Sequence, residues 1–214
     1  MKFLKKINKG LILTVIVLVA LTIYLVNIEI QRKNDKPAIE QACKDYIEIV
    51  NKYATLPEEN QKINEKISKE EREKYEKELK EKLDEKMIEN EKAKELQLEL
   101  IESSWEGETQ EASILTKFDK KITKFKSFAF DGDQVTVKFT STTNEEIKYL
   151  KDAEYNFETE KYEGTEELTK EESFKSSYDE VITLKKENNK WKVVYADLQL
   201  VDWNSMEYGT TVVF

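Results

Sequence analysis

The chain has 214 residues, 37% of them charged against roughly 25% in an average soluble domain, with a net charge of −9 and a pI of about 5.0. That acidic balance argues against a nucleic-acid binder that works by neutralising phosphates. Histidine is absent and cysteine occurs once, at Cys43, which excludes Ser-His-Asp and Cys-His catalysis, imidazole zinc sites and disulfide frameworks.

The first element is apolar. Lys2, Lys5, Lys6 and Lys9 precede an uninterrupted hydrophobic run over residues 11–26, and extending it through Ile28 gives 18 residues. Such a helix is roughly 27 Å long, enough to cross a hydrocarbon core of about 30 Å with slight local thinning. Four lysines before the span and Glu29 just after it place the N-terminus in the cytoplasm by the positive-inside rule. The stretch Val26-Asn27-Ile28-Glu29-Ile30 offers no small residues for signal-peptide cleavage, and Cys43 lies too far on to be a lipoprotein cysteine. The expected layout is a cytoplasmic basic tail (1–10), a transmembrane anchor (11–30, touching the bilayer through 11–28) and an extracytoplasmic α+β domain (31–214). Residues 1–30 sum to +3, leaving −12 on the outer portion, so the domain is expected to stand off an anionic lipid surface. Arginine occurs only at Arg32 and Arg72. That bias and the single cysteine suit an exported bacterial protein.

A polar joint at 31–36 follows, with Asn34 or Asp35 as a cap and Pro37 in the first turn of a new helix. Ile39, Ala42, Cys43, Tyr46, Ile47, Val50, Tyr53 and Ala54 repeat at helical spacing and form a stripe meant for a core, with Pro57 marking the end. Cys43 lies inside that stripe and reads as a small buried hydrophobe rather than a reactive thiol.

Residues 58–102 form a charged helical insert. Six Glu→Lys pairs at i,i+4 (58/62, 65/69, 70/74, 73/77, 76/80, 78/82) support an exposed helix, at about 0.2–0.5 kcal/mol each. Ile63, Ile67, Tyr75, Leu79, Leu83 and Met87 wind round it in a way that disfavours a coiled coil. A break near Asn90 is expected. The insert reads either as a docking arm or as a charged helix with one narrow buried face.

Beyond Gly107 the period shortens to two. Segments 122–130 and 135–143 flank Asp131-Gly132-Asp133 as a hairpin, with Val135, Val137 and Phe139 on the buried face. The turn explains both aspartates without a calcium loop. Segment 144–175 admits a helix or an edge strand. Segments 176–186 and 191–203 form a second hairpin about Asn188-Asn189; apolar residues on both faces of 191–203 suggest a bulged strand in mid-sheet. Residues 209–214 read as a closing edge strand or a strand-donating ligand.

The order of elements, closing on Glu187-Asn188-Asn189-Lys190-Trp191-Lys192-Val193-Val194, resembles the nuclear transport factor 2-like (cystatin-like cone) superfamily in its membrane-anchored, extracytoplasmic bacterial form. The resemblance spans about residues 37–57 and 110–203. It implies helices packed on a strongly curved antiparallel sheet, and anchored versions are similar to subunits of secretion and conjugation machines. The dyads of its enzymes find no counterpart here, since they need histidine or Tyr/Asp pairs that this chain does not match. The resulting expectation is a non-catalytic assembly module that binds envelope proteins or itself, with no cofactor, metal or nucleic acid. The alternative is a small-ligand-binding cone domain, a sensor or carrier, with Trp191 and Tyr195 as pocket aromatics rather than ordinary core aromatics. Paired carboxylates acting on glycans are a third reading, but 44 Asp and Glu residues make chance pairs inevitable.

Overall fold

The computed structural model describes residues 9–62, 67–106, 113–150, 154–159, 161–163 and 169–199. The chain divides into two compact units, the first ending at Ile39 and the second beginning at Glu40. Helix α1 (Lys9–Tyr53) is continuous through the expected joint, with Pro37 inside it. Proline there removes one hydrogen bond to the carbonyl of residue 33. Lys33 is exposed, so burial does not penalise its freed carbonyl and the helix need not end.

The insert starts later than its charge pattern suggests. After a short 3₁₀ turn (Glu58–Asn60), helix α2 (Lys69–Lys86) begins where Ser68 caps it: Ser68 Oγ accepts from Glu71 N and donates to the Glu71 carboxylate. The sequence signal Ser-x-x-Glu therefore outweighs the upstream Glu/Lys run. Leu79, Leu83 and Met87 are its buried face, which matches the narrow-stripe reading. Its ion pairs run in the opposite order to the expected ones, Lys69–Glu73 and Arg72–Glu76. The helix stops at Met87, and Asn90 caps α3 (Glu91–Glu106) by accepting from Ala93 N at 3.2 Å.

Strands β1 (Ser113–Asp131), β2 (Gln134–Leu150), β5 (Thr169–Glu187) and β6 (Lys190–Asp197) form an antiparallel sheet in the order β1-β2-β5-β6. A separate two-stranded hairpin, β3 (Glu154–Asn156) and β4 (Lys161–Glu163), occupies the segment whose conformation the sequence left open. Both long hairpins turn where expected. Gly132 takes a positive φ of 58°, and Asn188 and Asn189 take 49° and 62°, the double left-handed conformation of a tight hairpin turn.

The fold is α+β, but the sheet is not strongly curled, contrary to the expected cone. Curling needs bulges repeated across neighbouring strands. Here β2 and β5 stay in unbroken register from Gln134↔Lys185 to Leu150↔Thr169, and the shifts fall on β1 and at the β5–β6 ladder. The β6 bulge is real, yet β6 is not a middle strand: among the described residues it pairs in the sheet with β5 alone. The extra residue switches which side chains face inward, and that accounts for apolar residues of both parities. The remainder of the expected 191–203 strand past Gln199, and the expected strand 209–214, lie outside the described residues.

The C-terminal part of α1, with α2 and α3, covers one face of the sheet. Tyr53, Tyr75 and Trp105 stack in series, 5.1 Å between successive ring centroids. Trp105 Nε1 donates to the Tyr53 carbonyl (2.7 Å), and the Tyr75 hydroxyl reaches the Lys52 and Thr55 carbonyls (3.0 Å each). These bonds satisfy the carbonyls that a helix C-terminus leaves free. Asn51 clamps the backbone of Lys120 on β1, donating to its carbonyl and accepting from its N–H at 2.8 Å each. At the far side, Ile88 N donates to the Val193 carbonyl of β6 (2.9 Å).

Candidate functional site

Two features depart from what an ordinary soluble core requires. The first is the apolar part of α1. An 18-residue window reaches a mean hydropathy of 2.7 with none of it buried by protein, so the helix is long and apolar enough to cross a membrane. Leu13 and Leu18 are 64% and 57% exposed. The two threonine hydroxyls in this stretch are satisfied within the helix, Thr14 Oγ1 donating to the Gly10 carbonyl (2.9 Å) and Thr22 Oγ1 to the Leu18 carbonyl (2.8 Å). A hydrocarbon environment demands that internal accounting.

The second feature lies on the covered face of the sheet. Along β2 the inward positions read Val135, Val137, Phe139, Ser141, Thr143, Glu145, Ile147, all buried. The apolar phase gives way to polar residues without any break in the alternation. Register sets Lys120 of β1 opposite Thr143, Tyr178 of β5 opposite Ser141, and Glu180 opposite Phe139. Lys120 and Glu180 are 0% and 2% exposed at their side chains and form an ion pair of 2.5 Å. The ammonium also lies 5.1 Å from the Tyr178 ring centroid, within cation–π range. Glu180 Oε1 accepts a second bond, from Gln199 N (2.9 Å), tying the chain two residues past β6 to the pair.

Burial pushes the Lys120 ammonium below its ordinary pKa, and the charges of Glu180 and Glu145 with the Glu180 hydrogen bond oppose that shift. The opposed effects leave a pair whose separation would be far more costly than its retention. Among the described residues, Ser141 Oγ, Thr143 Oγ1 and Glu180 Oε2 are buried without a hydrogen-bond partner. No group of three or more Asp, Glu or Cys side chains among them is arranged to hold a metal ion.

The aromatics expected to line a pocket are separated. Trp191 opposes Lys186 and Tyr195 opposes Thr183, with the bulge between them. Lys186 and the buried Leu184 share a face that Thr183 does not, so the two rings lie on opposite faces of the sheet. Tyr195 is 47% exposed; Trp191 is half-buried, with Lys186 Nζ 5.7 Å from its ring. Cys43 is fully buried, and burial with the nearby Glu40 charge pushes its thiol up to about 12, which makes it inert at neutral pH. Tyr46 and Gln97 form a further buried relay, the Tyr46 hydroxyl donating to Gln97 Oε1 (2.5 Å) and Gln97 Nε2 to the Ala196 carbonyl (3.2 Å).

Sequence reasoning missed Lys120, Glu180, Ser141 and Thr143. One signal was available: inward positions of β2 change from Val-Val-Phe to Ser-Thr-Glu while the strand continues. Comparison with protein-family models finds no family that matches this chain, and comparison with curated proteins finds no matching relative.

Proposed function

We propose that the chain is a single-pass, membrane-anchored module whose C-terminal α+β domain lies outside the cytoplasm and works by binding other envelope proteins or further copies of itself, without catalysis. The observation that carries this reading is the apolar stretch of α1, exposed along its length and internally hydrogen-bonded. The four lysines before the span support the orientation. The sheet favours a module over a carrier, because it is not strongly curled and the inward positions of its described strands are buried.

The test has two parts. Asp133→Cys places a thiol on an exposed turn, while native Cys43 is buried. In intact cells a membrane-impermeant maleimide is expected to label the variant and leave the wild type unlabelled; labelling only after lysis overturns the orientation. Lysine crosslinking of the full-length protein in cells is then expected to give discrete adducts with envelope proteins or a ladder of homo-oligomers. A monomer without reproducible adducts, despite efficient lysine modification, overturns the module.

A further inference from the structure

We propose that the polar part of the covered sheet face is a binding site for internal water, with at least one ordered molecule bridging Ser141 Oγ, Thr143 Oγ1 and Glu180 Oε2 beneath the Lys120–Glu180 pair. All three oxygens are buried and lack a partner among the described residues. Buried polar atoms in folded proteins are nearly always satisfied, by protein or by ordered water.

The register brings these atoms to one place. Ser141 and Thr143 are successive inward positions of β2, about 7 Å apart along the strand. Lys120 stands opposite Thr143, and Glu180 opposite Phe139, the next inward position on the other side of Ser141. For Lys120 Nζ to meet Glu180 Oε1 at 2.5 Å, the two side chains must extend toward each other across Ser141. The free carboxylate oxygen and the two hydroxyls therefore share one neighbourhood. A water molecule closes gaps too wide for direct bonds.

The chemistry of the site selects a neutral occupant. Lys120 disfavours a cation, and Glu180 with Glu145 disfavours an anion. Glu180 Oε2 can only accept, whereas each hydroxyl can donate or accept. A water that donates to Glu180 Oε2 and to one hydroxyl, and accepts from the other, satisfies all three atoms with about the number of bonds a buried water usually makes.

The decisive experiment is a crystal structure of the full chain in detergent, at a resolution that shows ordered solvent, for wild type, Thr143→Ser and the double variant Ser141→Ala/Thr143→Val. Wild type and Thr143→Ser are expected to show density at hydrogen-bonding distance from at least two of the three oxygens, and the double variant is expected to lose it. Should the double variant not fold, wild type and Ser141→Ala decide by magnetisation transfer from water to the amide protons of Ser141 and Thr143 in solution. Transfer from a long-lived water, reduced in Ser141→Ala, supports the site. Hydroxyls bonded directly to Glu180 or to strand carbonyls, a site without solvent density, or density of a larger molecule would each overturn it.

Discussion

The apolar stretch of α1 and the covered face of the sheet are inverted with respect to each other. One exposes Leu, Ile and Val along its length, and the other buries lysine, glutamate, serine and threonine. An exposed hydrophobic stretch of this length and apolarity is enough to cross a membrane. A buried ion pair costs several kcal/mol per ion in desolvation and is held by geometry and supporting hydrogen bonds. Hydropathy therefore reports solvent in the first region and misreports burial in the second.

The largest effect expected comes from breaking the first pattern. Leu18→Arg and Leu21→Arg together add about 3–4 kcal/mol each to insertion of the helix centre. The variant is expected to leave the membrane pellet after an alkaline carbonate wash, while wild type remains. Full retention of the double variant would mean that something other than this helix holds the chain to the membrane.

The second pattern breaks through one partner. Glu180→Leu strands a buried ammonium and removes the acceptor for Gln199 N. The loss expected is about 3–5 kcal/mol, read as a lowered denaturant midpoint of the full chain in detergent. Converting both, Lys120→Met with Glu180→Leu, is expected to recover most of that loss or to exceed wild type by about 1–4 kcal/mol. The sharp feature is non-additivity: the double variant must be more stable than the Glu180 single. A double variant as unstable as the sum of the singles would show that the two side chains contribute separately, through packing.

How much of this was legible in the sequence follows the same division. The apolar span, the two turns, the helix break near Asn90 and the buried stripe of Leu79, Leu83 and Met87 each announce themselves within a few residues, through composition, left-handed backbone demand or periodicity. The continuity of α1 through Pro37 was misread, because a proline is a local veto that an exposed carbonyl can relax. The absence of strong curl was misread because curvature depends on where bulges fall in neighbouring strands, and one strand's apolar faces cannot report that. The Lys120–Glu180 pair joins residues sixty positions apart. Nothing in either neighbourhood distinguishes this lysine from the others on β1 or this glutamate from those around it.

A smaller effect tests the aromatic series at the end of α1. Tyr75→Phe keeps the ring between Tyr53 and Trp105 but removes the hydroxyl that serves the Lys52 and Thr55 carbonyls. The cost expected is about 1 kcal/mol, visible as a modest drop in denaturant midpoint. Tyr75→Ala is expected to cost several times more, since it also removes the packing of the ring. Equal losses in the two variants would assign the whole contribution to the hydroxyl.

The smallest effect contrasts the buried pair with an ion pair near the surface. Asp45 of α1 accepts from Lys86 Nζ of α2 at 2.7 Å and from Gln41 Nε2 at 2.7 Å. Partial burial pushes its carboxyl up, but the two hydrogen bonds and the Lys86 charge outweigh that and hold the pKa below the ordinary 3.8. Near and below pH 3.8 the unfolded chain therefore binds more protons at this residue than the folded one, and stability rises with pH across that interval. The contribution is complete above about pH 5, and is lost as pH falls through the lowered folded value. Because the pair is partly open to solvent it is worth less than about 1 kcal/mol, and salt weakens it further. Asp45→Asn is expected to lower stability slightly at pH 7 and not at all once the carboxyl of the wild type is protonated. Lys120 differs in cause and in pH range: burial lowers the pKa of a base against the opposing pull of Glu180, so stability rises with pH over an interval that ends near 10.5. An Asp45→Asn loss of equal size at pH 7 and at strongly acid pH would assign Asp45 a packing role, and would remove the contrast between a charge pair that solvent supports and one that the sheet encloses.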